Sequence, residues 1–257
     1  MTTEQGSAPA AREPLDGVLF DIDDTLVDTR SAFAGAMAAV AGVYLPHLHA
    51  DRYDDVLATW RRDSGGHYRA YTRGEMPFRE QRLVRANELQ ELFGGTEIAD
   101  EDFEAWDAVF ESAFEGGWAP HEDALAAVDA IRAAGIVVGA LSNAASAYQT
   151  RKLERAGLPH VPMLVGVDTL GFGKPDPRVF LEACRLLGTD PSRTLYVGDE
   201  LDIDARAALA AGLQAAWIDR PGSRRGGAYL EDPALAEADG IHVVASLDEV
   251  VPLVVGR

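Results

Sequence analysis

The apolar positions of the chain change their period twice. Val18-Leu19-Phe20 is a short apolar run that stops at an acidic cluster, as a buried parallel strand does at its C-terminal end. Ser31 to Val43 then has helical spacing and many alanines. From there to about Gly117, Arg, Trp, Tyr and Glu become dense and the spacing stays helical, as in Phe78 to Phe93 and Phe103 to Phe114. No strand is expected in that stretch, and Gly94-Gly95 and Gly116-Gly117 read as helix ends or hinges. After Pro120, helices and short strands alternate. The spacing predicts strands over Ile136 to Leu141, Met163 to Val167, Thr194 to Val197, Ala215 to Ile218 and Ile241 to Val244. Helices are expected over Glu122 to Ala134, Ala144 to Ala156, Arg178 to Leu187 and Ile203 to Ala211, with a short one from Leu247.

This alternation predicts an α/β fold, a Rossmann-like doubly wound parallel sheet with helices on both faces. The all-helical stretch between the first and second strands is then an insertion with both ends in the core. The expected division is a tail over 1–14, the α/β core over 15–28 and 119–257, and the helical insertion over 29–118. The tail, rich in Ala, Pro and polar residues, reads as disordered, without the basic start and apolar core of a signal peptide.

Composition narrows the function classes. A net charge of −19 argues against nucleic acid as a partner, because phosphate backbones attract basic faces. No apolar run approaches the roughly 20 residues of a membrane span. Cys184 is the only cysteine, so it reads as a buried structural thiol, and a cytoplasmic location is expected. Of the 23 basic residues only Lys152 and Lys174 are lysine. A GC-rich genome accounts for the bias in general, but leaves open why Lys174 is not an arginine as well.

Ligands of an open parallel α/β sheet bind outside the carboxyl ends of the strands. Four expected strand ends carry polar residues: Asp21 and Asp23, then Ser142 and Asn143, then Lys174, then Asp199, Glu200, Asp202 and Asp204. Several close carboxylates repel one another unless a cation is present, and a hard divalent ion with oxygen ligands resolves this. A lysine and a hydroxyl opposite such an ion suit a transferring phosphoryl group.

In order and spacing these motifs resemble the haloacid dehalogenase superfamily, a group dominated by phosphatases. Its Asp-x-Asp-x-Thr motif matches Asp21 to Thr25, and its strand ending in Ser or Thr matches Leu141-Ser142-Asn143. Its lysine, often followed by proline, matches Lys174-Pro175, and its Gly-Asp with a later aspartate matches Gly198-Asp199 with Asp204. The resemblance covers roughly residues 15–30 and 118–220. It implies Asp21 as a nucleophile forming an aspartyl-phosphate and Asp23 as the acid and then base. It implies Mg²⁺ held by the Asp21 carboxylate, the Asp23 backbone carbonyl and Asp199, with Asp204 a further ligand or an orienting group. Ser142, the Asn143 amide and Lys174 would hold the phosphate. If Lys174 sits deep against Asp21, a compact ammonium is needed where arginine's planar fork would not fit. In the family's dehalogenases and phosphonatases the residue two after the nucleophile is not an acid, so Asp23 favours phosphate ester chemistry.

The resemblance also makes 29–118 a helical cap of the C1 type. Its arginines at 61, 62, 69, 73 and 79 concentrate positive charge in an acidic chain, and Arg61, Arg69 and Arg73 are the candidates to reach the substrate. Asp24 stands where glycine is common and is expected to be a turn residue facing solvent; one of Glu200 and Asp202 is expected near the metal. Asp168 either orients Lys174 or is a plain loop carboxylate, and Trp118 marks a hinge or packs. His47 and His49 are expected at the surface. The expectation is a phosphatase of a small phosphorylated metabolite, a sugar phosphate or nucleoside monophosphate, in a monomer or homodimer. A phosphomutase, or a non-catalytic binding module of the same family, are the alternatives.

Overall fold

The computed structural model describes residues 14–224 and 230–256, so the tail expected over 1–14 lies outside the described residues except for Pro14. The strands are β1 Gly17–Phe20, β2 Val137–Leu141, β3 Met163–Val165, β4 Thr194–Gly198, β5 Gln214–Ile218 and β6 His242–Val244. They form one parallel sheet in the order β3-β2-β1-β4-β5-β6. The order reverses between β1 and β4, which leaves a crevice beyond their C-terminal ends.

All four β1 residues are buried, yet they serve two different cores. Val18 and Phe20 join one apolar cluster with Leu195 and Val197 of β4, while Leu19 and Tyr196 join the other. Successive side chains of a strand point to opposite faces, and here both faces are covered. That is why these strands read as unbroken apolar runs rather than as alternating ones.

The insertion after β1 carries five α-helices over residues 29–118: α1 Thr29–Tyr44, α2 Tyr53–Arg62, α3 His67–Thr72, α4 Phe78–Phe93 and α5 Phe103–Gly116. No strand occurs in this insertion, whose residues are all described. Its interior is aromatic: Trp106 stacks on Phe110 at 5.8 Å and lies 5.9 Å from Trp60, and Phe110 lies 5.5 Å from Phe114. These rings continue the same apolar cluster that covers the Val18 and Phe20 face of the sheet. The first two short helices carry no extended apolar stripe, only Val56, Trp60 and Thr72 being buried in them. Asp63, in left-handed conformation at φ 46°, and Gly66 at φ 69° break the chain between them.

The rest follows the alternation closely, with α6 Ala124–Ala133, α7 Ser146–Arg155, α8 Val167–Leu170 and α9 Pro177–Leu187. The strand expected to reach Val167 stops at Val165, because Gly166 caps α8. The helix expected from Ile203 starts as a π-helical turn, Leu201–Arg206, and continues as α10 Ala207–Ala210. A six-residue helix, α11 Pro233–Ala238, is too short to show a period and is set by its N-cap, Asp232, which accepts from the Ala234 amide at 2.9 Å. The chain closes with α12 Val251–Val255, packed against α6. No helix among the described residues is long and apolar enough to cross a membrane.

Trp106 is fully buried among rings that cannot collapse into its space. Trp106→Ala is expected to cost about 3–5 kcal/mol, read as a lower midpoint in urea unfolding.

Candidate active site

Asp21 leaves β1 but stays in the sheet, its amide donating to Val197 O at 2.8 Å. The chain then makes one tight turn, with the Leu26 and Val27 amides both donating to Ile22 O at 3.0 and 2.9 Å. Val27 bridges to Asp23 on one side and to Pro120 on the other, and the Asp28 amide donates to Ala119 O at 2.9 Å. The outgoing and returning ends of the insertion are therefore paired by backbone beside the first two aspartates.

Lys174 reaches this place from the loop after β3. Its side chain is 4% exposed, and its ammonium makes three contacts: Asp21 Oδ1 at 2.6 Å, Asp204 Oδ1 at 2.7 Å and the Tyr196 hydroxyl at 2.9 Å. Burial alone would lower its pKa, but Asp204 and Asp21 outweigh it and hold the ammonium well above its ordinary value. An ammonium has three protons, so all of them are committed. Lys174 therefore has no spare donor and offers the cavity only its charge. Tyr196 escapes a sequence reading because it occupies an apolar strand position and shows its polar end only here.

Asn143 ties two strand ends together. Its side-chain amide donates to Lys174 O at 2.9 Å and its carbonyl accepts from the Lys174 amide at 2.6 Å. Its side chain therefore sets the lysine loop. Ser142, at the same strand end, is 2% exposed.

Carboxylate oxygens of Asp21, Asp199 and Asp204 lie within 4.8 Å of one another. Burial is the main force pushing the Asp21 carboxyl up, to about 8; Lys174 pulls it down, and Asp204 and Asp23 push it up again. Asp199 is raised well above its usual value by burial and then by Asp24, Glu200, Asp204 and Asp21. Asp204, 1% exposed, is engaged on both oxygens, by Lys174 and Tyr196 on Oδ1 and by the Glu200 amide at 3.0 Å on Oδ2. Its approach depends on Gly198, where an added Cβ would sit 2.4 Å from Asp204 Cγ. An all-oxygen donor set this crowded suits a hard divalent cation, since the carboxylates ionise together only beside more positive charge than Lys174 brings.

Asp23 stands apart from that cluster. Its Oδ1 accepts from Lys152 at 2.5 Å and its Oδ2 from Gln149 at 2.6 Å, and the second proton of the same Gln149 amide goes to Ser142 Oγ at 2.7 Å. Neither Gln149 nor Lys152 is marked by a motif; both project from α7 at helical spacing. The expectation that Asp24 faces solvent is corrected. It sits at φ 58° and accepts from Thr29 Oγ1 at 3.0 Å and the Arg30 amide at 2.6 Å, while Arg61 reaches its other oxygen at 3.3 Å.

Above the aspartates is a cavity of about 460 Å³ walled by both the core and the insertion. Arg61 and Arg69 line it, together with Trp60, Tyr68, Phe114 and Tyr148. Arg61 Nη1 is buried without a hydrogen-bond partner among the described residues. Arg73 is excluded: it is exposed and pairs with Glu75 at 2.6 Å, away from the cavity. Arg79 is spent on Asp100 and Glu104. Arg82 and Arg85, which the composition did not single out, are buried in the cavity wall, Arg85 stacking 4.0 Å from the Trp60 ring. Glu200 lines the cavity, whereas Asp202 is exposed and does not. Asp168 does not orient Lys174; it accepts from the Ser146 amide at 2.9 Å at the start of α7. His47 and His49 are exposed.

Beside the lysine loop the insertion meets the core through backbone. The Gly173 amide donates to Thr72 O at 2.7 Å, and a Cβ at Gly74, φ 75°, would sit 2.4 Å from Gly171 O. Tyr68 adds a hydroxyl bond to Asn143 O at 3.3 Å.

The family model of haloacid dehalogenase-like hydrolases matches residues 15–212. The chain belongs to this family. It is similar to the phosphoserine phosphatase of Thermus thermophilus, 31% identical over 239 residues that cover 84% of this chain and 91% of that protein. Its fold is similar to that of a putative hydrolase of the family, YfnB of Bacillus subtilis, solved bound to magnesium, with a TM-score of 0.70 and 22% identity over 94% of this chain and 99% of that one. An L-2-haloacid dehalogenase is also similar, with a TM-score of 0.70 and 27% identity over 93% and 99% of the two chains. The family therefore makes this chain a hydrolase, and the neighbours include both phosphatases and dehalogenases.

In this haloacid dehalogenase-like hydrolase, Gly198→Ala is expected to drive Asp204 off its place and cost about 1–3 kcal/mol, measured by urea unfolding.

Proposed function

We propose that the chain is a Mg²⁺-dependent phosphatase that hydrolyses a small phosphorylated metabolite, a sugar phosphate or nucleoside monophosphate, through an aspartyl-phosphate on Asp21. The observation that carries the reading is the separation of two carboxylates. Asp21 lies in the oxygen cluster against Lys174, while Asp23 lies outside it with its own donors and a side chain about one-third exposed. A nucleophile and an independent acid/base are what ester hydrolysis in two steps needs. A halide leaves without a proton, so carbon–halogen cleavage has no need of the acid that an ester's bridging oxygen requires.

Asp21 attacks the phosphorus, and the bond to the bridging oxygen breaks as Asp23 delivers a proton to that oxygen. Asp23, now a carboxylate, takes a proton from water, whose oxygen attacks the phosphorus and releases phosphate from Asp21. The Ser142 hydroxyl, whose oxygen already accepts from Gln149, donates to the phosphoryl oxygens together with the Asn143 amide. Lys174 offsets their charge from its fixed place. The carboxylates of Asp21 and Asp199 and the Asp23 backbone carbonyl would hold Mg²⁺, with Asp204 orienting Lys174 beside them. Bound there, the ion supplies charge that keeps Asp21 ionised and screens its approach to an anionic substrate. The helices of 29–118 act as a cap that excludes water and shapes the cavity to the substrate.

Phosphate release from a panel of phosphorylated metabolites with Mg²⁺ tests the reading, and no release from any of them, p-nitrophenyl phosphate included, sinks it. Asp21→Asn is expected to abolish turnover, and Asp23→Asn to lower kcat by about 10²–10⁴, both with the fold intact by circular dichroism. A second expectation concerns the metal. Freed of metal, Asp21 titrates near 8 in the folded chain against 3.8 ordinarily, so the folded state holds a proton that the unfolded state has lost. That contribution to stability is full below about pH 4 and is lost as the pH rises through 8. Mg²⁺ binds the ionised form, so the rise in Tm on adding Mg²⁺ to chelator-treated protein is expected to be larger at pH 8 than at pH 5.

A further inference from the structure

Lys152 is 2% exposed on α7 and lies 129 positions from the acid it touches. Its ammonium is 2.5 Å from Asp23 Oδ1 and faces three aromatic rings, with centroids at 5.2 Å for Phe114, 5.3 Å for Trp118 and 5.4 Å for Tyr148. The rings brace one another: Trp118 meets Phe114 edge-on at 5.9 Å and Tyr148 edge-on at 5.2 Å. The Tyr148 hydroxyl is pinned to Glu111 Oε2 at 2.7 Å. Ring faces attract a cation and take the place of its water shell. The cage thus leaves one carboxylate, Asp23, as the ammonium's hydrogen-bond acceptor among the described residues.

Gln149, fully buried one helical turn earlier, takes the other oxygen. A carboxylate with donors on both oxygens has its plane fixed, while lone pairs on each oxygen remain to face the cavity. From this geometry we infer that Lys152 is a positioning residue: with Gln149 it clamps the Asp23 carboxylate in the orientation needed for proton transfer, and the aromatic cage holds the clamp. The inference rests on the phosphatase reading for what Asp23 does. Both lysines of this arginine-rich chain then have the same kind of task, Lys174 on Asp21 and Lys152 on Asp23. Each site takes a compact ammonium among close partners, where a planar fork has no room.

Two walls of the cage, Phe114 and Trp118, belong to the insertion and its return, and the third, Tyr148, to the core. The clamp is complete only with the insertion seated on α7. Arg151 and Arg155 add to that seam by pairing with Glu115 at 2.8 and 3.0 Å.

The test compares Lys152→Met with the wild-type chain in Mg²⁺, using the best substrate found. A positioning residue lowers kcat by about 10–100-fold and leaves KM, and the Ki of inorganic phosphate, within about threefold. An unchanged kcat overturns the inference. So does a rise in KM and phosphate Ki with kcat intact, which would make Lys152 a substrate ligand. Trp118→Leu opens the cage from outside the cavity, and a smaller fall in kcat at constant KM is expected; it carries the test should Lys152→Met fail to fold. Should the wild-type chain release no phosphate from any ester, the phosphatase reading fails by itself. The clamp is then judged on crystal structures of the two variants, where an Asp23 carboxylate still in its wild-type orientation overturns it and a turned one supports it.

Discussion

Charge crowding at the C-terminal edge of the sheet governs this molecule. Asp21, Asp199 and Asp204 meet beyond two adjacent strands with Asp23 and Glu200 beside them, and burial strips Asp21 and Asp204 of the water that would make them compatible. The chain answers with two ammonium groups, each shared with as few competitors as possible. Lys174 spreads its three protons over Asp21, Asp204 and Tyr196, which neutralises part of the cluster and fixes the Asp21 carboxylate. Lys152 does the same for Asp23 from the other side. What remains is an excess of negative oxygen around Asp21 and Asp199, which a divalent cation would offset.

Much of the surrounding fold serves to keep those few contacts in register. β1 and β4 run side by side, so Asp21 and Asp199 emerge together, and the Asp21 amide is still bonded to Val197. A π-helical turn after β4 brings Asp204 back over Gly198 instead of letting it point outward along a regular helix. Asn143 locks the loop that carries Lys174 to the end of β2. The aromatic interior of the insertion merges with the core cluster on one sheet face, so the two regions share apolar packing as well as the cavity.

The parts legible in the sequence are those where the chemistry is local. Strand ends show themselves because an apolar run stops abruptly at a polar pair, as at Phe20-Asp21 and Leu141-Ser142. The parallel sheet and the helical insertion follow from period alone. Lys152, Gln149 and Tyr196 were illegible for the opposite reason: each occupies an ordinary position in its own element, and only a partner far along the chain gives it meaning. Asp24 misled for a similar reason, since a lone acid in a turn looks solvated until Thr29, Arg30 and Arg61 close around it. The arginines of the insertion separated by their neighbours rather than by their density: Arg73 and Arg79 have carboxylates within reach on the surface, while Arg61 is turned inward.

The contact between the insertion and the lysine loop has a further consequence. Thr72 O meets the Gly173 amide, and Gly74 lies against Gly171 O, so this edge of the seat is made by main chain and needs no particular side chain beyond the absence of one. The cavity wall, by contrast, is made of side chains such as Trp60, Arg61 and Tyr71. At this edge docking rests on main chain, while Thr72 and Tyr68 serve the contact and the cavity wall together. The side chains of the wall can vary here without altering the main-chain contact itself.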